Sequence, residues 1–113
     1  MAGSPSATLH RHSFVSAQTG SGTTNSDWYP LDWRHPHSSI EDRVVQGVVS
    51  GNVGTATLQV TIQQPTSAQD SSVTVTNVTA FSAGFYHLFQ TKATHVRFSV
   101  ASSNGTWEIK GLL

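Results

Sequence analysis

The chain has 113 residues, no cysteine, and six basic against six acidic side chains, for a formal charge of zero. A neutral chain with no basic block cannot neutralise a phosphate backbone, so nucleic-acid binding is not expected. The missing thiols exclude disulfides and cysteine-based zinc sites. The length suits one domain with a modest core.

Only 11% of the residues are charged, against roughly 25% in an ordinary soluble domain. Serine, threonine and glutamine supply the polarity instead, a balance tolerated where neighbouring proteins cover the surface, and this points towards assembly. No apolar run approaches the roughly 18 residues of a membrane helix, and no signal-peptide pattern opens the chain. Neither membrane anchoring nor secretion is expected.

Residues 1–27 are rich in Ser, Thr, Gly and Ala, and only residues 9–17 have strand character. Residues 18–27 have the composition of a flexible linker. So polar a segment buries too little apolar surface to order alone: composition by itself favours a disordered tail, and the alternative carried forward as the expectation is an extended arm, residues 1–27, held by a neighbouring subunit. Leu9, Phe14 and Val15 are its candidate contact residues. The remainder, residues 28–113, is expected to be the folded domain.

The densest aromatic patch follows: Trp28, Tyr29 and Trp33, with Pro30 and Leu31 between them. Rings in such a patch either pack in a core or subunit interface, the favoured reading, or form a platform for sugar rings. Trp28 and Trp33 are an odd number of residues apart, so a regular strand would not place both on one face.

Residues 42–63 read as one long β-hairpin. In its second arm Ala56, Leu58, Val60 and Ile62 alternate with Thr57, Gln59, Thr61 and Gln63, which gives one dry face and one wet face. The intervening Gly51, Asn52, Val53 and Gly54 are turn residues. Pairing Ser50 with Thr55 sets Val45 and Val49 on the face of Ala56 and Val60. Residues 65–72 form a polar loop, Val73 and Val75 resume a strand, and residues 85–90 make another, bulky on both faces. Residues 94–101 alternate cleanly, with Val96, Phe98 and Val100 on the dry side. Asn104-Gly105 is a strong hairpin signal, and the return arm carries Trp107 and Ile109. The whole is an all-β chain, an antiparallel β-sandwich or jelly roll of about seven or eight strands.

Candidate chemistry is sparse. The pairs His10/His12 and His35/His37 would each share a strand face about 7 Å apart, within reach of one metal. Two ligands make an incomplete site, completed only by further groups such as His87 or His95, or by symmetry mates. A trimer with His10 and His12 on its axis is one such arrangement. The chain lacks nucleophile-elbow, phosphate-loop and zinc-helix motifs, so neither catalysis nor a cofactor is expected.

Residues 26–33 (Ser-Asp-Trp-Tyr-Pro-Leu-Asp-Trp), Val44-Val45, the alternating 56–63 strand, the 94–100 strand with its Val96-Arg97-Phe98 centre, and the 105–109 ending (Gly-Thr-Trp-Glu-Ile) together resemble small virion proteins of tailed bacteriophages. The resemblance spans about residues 26–113. It implies a structural particle component without catalytic residues, most concretely a decoration (cement) protein on the capsid exterior. Its implied partners are the major capsid protein and copies of itself, with a trimer the expected oligomer. A tail or head-spike component is the nearby alternative. A carbohydrate-binding module for a host surface glycan, using Trp28, Tyr29, Trp33 or Tyr86, is the competing class.

Overall fold

The computed structural model describes residues 11–18, 22–31, 43–51, 54–102 and 105–113. These residues contain no helix. They form nine strands: β1 (Arg11–Gln18), β2 (Gly22–Asn25), β3 (Tyr29–Pro30), β4 (Arg43–Ser50), β5 (Thr55–Thr61), β6 (Thr76–Phe81), β7 (Phe85–Phe89), β8 (His95–Ser102) and β9 (Thr106–Leu112). The first sheet has the order β1-β9-β4-β7; the second has the order β2-β8-β5-β6, with β3 also on β8. Every pairing is antiparallel. Successive strands keep swapping sheets, which is the winding of a jelly roll. The expected fold class is therefore the one the chain adopts.

The two expected hairpins do not form. β4 lies in the first sheet and β5 in the second, and so do β9 and β8 respectively. Ser50 pairs with Thr106 rather than Thr55, and Thr55 pairs with Ala101. Both connections are arches from one sheet to the other. Alternation fixes which face of a strand is dry, but that face is equally satisfied beside a partner in one sheet or opposite it across the core. A four-residue link spans up to roughly 13 Å, enough to bridge sheets about 10 Å apart. Among the described residues, β5 and β6 are the one pair of consecutive strands bonded to each other.

The dry faces are otherwise as the alternation requires. Val45 on β4, Ala56, Leu58 and Val60 on β5, Val96, Phe98 and Val100 on β8, and Trp107 and Ile109 on β9 all point into one core. Ile62 departs from the pattern: β5 ends at Thr61, whose carbonyl accepts the Thr94 N–H at 2.9 Å, and Ile62 turns out to 77% exposure. Val73 and Val75 precede β6 rather than forming it.

The described part of the expected arm belongs to the domain. β1 pairs with β9, with register shifts on either side of Val15 that let both Phe14 and Val15 enter the core. The stretch read as a linker contains β2, bonded to β8 from Gly22↔Ser102 to Asn25↔Ser99. The described residues on the N-terminal side of residue 28 are thus paired into both sheets, where the edges of β8 and β9 offer backbone groups to be bonded.

Gly47 makes room for one core ring. A Cβ there would fall 2.7 Å from Phe85 Cζ and 2.8 Å from Cδ1. That ring cannot swing away, because it stacks on Phe81 at 3.8 Å and touches Phe98 and Trp107 at 5.8 and 6.3 Å between centroids. Gly47→Ala is expected to lower unfolding free energy by about 1–3 kcal/mol, the usual cost of overpacking, as read by urea denaturation.

Candidate functional site

The residues singled out in the sequence do not converge on one exposed site. Phe14 and Val15 are core, and Trp28 is buried. Tyr29 is half-buried, stacked on His12 with ring centroids 4.0 Å apart. Leu9 and Trp33 lie outside the described residues, as do His10, His35 and His37. Among the described residues no three His, Asp or Glu side chains come together as metal ligands would.

Trp28 is held down by a third layer over the second sheet. Its N–H donates to the Ala68 carbonyl and its indole Nε1–H to the Asp70 carbonyl, both at 2.9 Å. The Arg97 guanidinium lies over the ring, 4.4 Å from its centroid, in cation–π contact. Arg97 stands on the face of β8 that would be wet, yet Trp28 and the 65–72 loop bury it. From there a polar ladder crosses three strands: Arg97 Nε–H donates to Gln59 Oε1 at 2.8 Å, and Gln59 Nε2–H to Asn77 Oδ1 at 2.9 Å.

The loop is tied by Asp70. Its Oδ2 accepts the Thr66 N–H and hydroxyl at 2.8 and 3.0 Å, and its Oδ1 accepts the Ser72 N–H and hydroxyl at 2.8 and 2.6 Å. The Ser72 hydroxyl foremost, with the Thr66 and Ser72 amides, holds this carboxyl far below the usual carboxylate range. Burial lowers the His95 pKa, and it lowers that of His12 against the opposing pull of Asp27. His95 Nδ1 lies 2.9 Å from the Thr94 hydroxyl, which donates to the Thr61 carbonyl at 3.1 Å, so this imidazole is part of the same ordered surface.

The outer face of the first sheet is different. Leu88, Val44, Leu112 and Arg11 form one in-register row across β7, β4, β9 and β1. Tyr86, Gln46, Lys110 and Ser13 form the next row, and Val48 with Glu108 the one beyond. Tyr86 is 66% exposed, Val48 58%, Leu88 51% and Leu112 42%. Four of the six large exposed hydrophobics among the described residues thus share one face, interspersed with the exposed Gln46, Lys110 and Glu108. Setting Val45 and Val49 on the dry face leaves Val44 and Val48 outward, but residues 85–90 are bulky on both faces and alternation does not orient Tyr86 and Leu88; only the register brings these side chains together.

The sugar-platform reading finds little here. Of its four rings, Trp28 is buried, Tyr29 is covered by His12, Trp33 lies outside the described residues, and Tyr86 is left without a coplanar exposed ring among the described residues. The chain matches no known protein family, no curated protein and no solved structure.

Asp70 sets a pH dependence. Its folded-state pKa is depressed, so its contribution to stability is complete above the unfolded value of about 3.9 and is lost as pH falls through the lower folded value. Thermal unfolding of wild type and Asp70→Asn should therefore differ most at neutral pH, wild type being higher, and the gap should narrow progressively as pH falls below about 4. A gap independent of pH would show that the loop does not depend on the carboxylate.

Proposed function

We propose that this jelly roll is a non-catalytic structural protein that coats a larger particle: a decoration (cement) protein on the exterior of a tailed-phage capsid, seated on the major capsid protein. The observation that carries the reading is the in-register apolar face of Val44, Val48 and Leu112 beside Tyr86 and Leu88 on a chain with few charges. Exposed apolar side chains on such a face are costly to leave wet. The likeness of residues 26–113 to small phage virion proteins supplies the identity of the shell. The jelly roll itself, an architecture of capsid and lectin domains alike, is compatible with the reading without selecting it.

In this role the protein works by repetition. Each copy adds a modest apolar contact, and many copies on a symmetric shell tie adjacent capsomers together with a strength no single contact has. No reaction, metal or cofactor is involved.

The test is reconstitution on capsids of the encoding virus from which the protein is absent. The wild-type chain should bind them and raise the temperature at which they release their contents. Val48→Lys and Leu112→Lys, outward substitutions that leave the core intact, should each weaken binding by about tenfold or more, since each removes a buried aliphatic contact. Undiminished binding by both variants would exclude this face as the seat.

A further inference from the structure

A β-sheet edge is a row of unpaired N–H and C=O groups, and stable proteins guard their edges with charge, proline, bulges or brevity. Three of the four edges here are guarded. β1 carries Arg11 and two register irregularities. β2 is four residues long and begins at Gly22, whose φ is +107°. β6 meets β5 through a register shift at Leu58/Gln59. β7 has none of these devices. It pairs with β4 without interruption from Arg43↔Phe89 to Gly47↔Phe85, and its five residues include neither a proline nor an Asp, Glu, Lys or Arg. Among the described residues nothing pairs with its other side.

The sequence of β7 also says what would fit there. Phe85-Tyr86-His87-Leu88-Phe89 is nearly symmetric about His87: a phenylalanine two residues away on each side, and a large outward apolar residue at each flanking position. A strand with this symmetry is complementary to an antiparallel copy of itself, which is the requirement of an isologous two-fold interface. With His87 on the axis, Tyr86 of each copy lies directly opposite Leu88 of the other, and Phe85 opposite Phe89. Directly opposed aromatic and aliphatic side chains are the pairs that stabilise a sheet. Tyr86 and Leu88, two of the most exposed apolar side chains in the molecule, are the residues that such pairing would cover.

We propose that β7 is a self-association edge at which two copies of this chain pair antiparallel about a two-fold axis at His87, fusing their first sheets into one eight-stranded sheet. The second copy is the occupant because the apolar pattern of the strand is the same from both ends, Phe facing Phe and Tyr facing Leu about His87; a foreign strand would have no need of that symmetry. The inference is independent of the capsid reading, since it concerns the purified chain alone.

The experiment is sedimentation of the full chain over a concentration series, with variants checked for folding by thermal unfolding. The wild type should show a monomer–dimer equilibrium. Tyr86→Lys and Leu88→Lys should each weaken it by about tenfold or more, by placing like-charged groups next to the axis, whereas Val78→Lys on β6 should leave it unchanged. The chain's lack of cysteine gives a second measurement: mild oxidation of His87→Cys should yield a disulfide-linked dimer, because residues directly opposite have Cβ atoms roughly 5 Å apart, while Val78→Cys should not. A wild type that stays monomeric with no His87→Cys cross-link overturns the proposal. So does a dimer indifferent to both lysines, or one abolished by Val48→Lys alone, which would place the contact on the sheet face.

Discussion

The side chain of Phe98, at the centre of β8, holds the two sheets in contact. It projects from the second sheet and meets two rings of the first, Phe14 at 5.2 Å and Phe85 at 5.8 Å between centroids. From Phe14 the contacts continue to His12 and Tyr29; from Phe85 they continue to Trp107, to Phe81 and, through Phe81, to His87. One unbroken chain of aromatic contacts therefore runs through the core from the β1 edge to the β7 edge. Edge-to-face and offset ring pairs add to the area they bury, and in a domain of this size they supply much of what aliphatic bulk would otherwise have to provide. Phe98 is also fixed from outside: its N–H donates to Ser26 Oγ at 2.9 Å and its carbonyl accepts the Ser26 N–H at 2.8 Å.

That arrangement makes the two outer faces unequal. The second sheet is roofed where Ser26 and Trp28 are pulled down over β8, with Arg97, Gln59 and Asn77 continuing the polar cover to the β6 edge. The first sheet has no such roof among the described residues, and its outward positions mix valine, leucine and tyrosine with Arg11, Ser13, Gln46, Lys110 and Glu108. A buried arginine over a buried tryptophan on one side, and rows of exposed valine, leucine and tyrosine interspersed with Gln46, Lys110 and Glu108 on the other, make the two faces chemically distinct.

Much of this was legible in the chain. Alternation identified the dry side of each long strand, and Val45, Leu58, Phe98, Trp107 and Ile109 lie where it placed them. Pairing was not legible, because a dry face is satisfied beside or across from its partner; Asn104-Gly105 favours a hairpin locally, yet Thr106 pairs with Ser50. The strands β1 and β2 within the N-terminal segment were not legible, because its composition is averaged over many serines and glycines while Phe14 and Val15 are its core side chains. Val44, Leu88 and Leu112 could not be seen as neighbours, since only the β7-β4-β9 register brings them into one row. Trp28 was recognised as a packing residue, but its cover, the 65–72 loop, read only as polar surface.

The account turns on β1 being part of its own protomer through the Phe14–Phe98 contact, not a strap awaiting another protein. The direct measurement is urea denaturation of the isolated full chain carrying Phe14→Ala. Loss of a core ring that joins both sheets should lower unfolding free energy by about 3–5 kcal/mol. A variant within about 0.5 kcal/mol of wild type, as for a surface substitution, would mean that the N-terminal strand contributes nothing to the isolated fold, and would contradict the account.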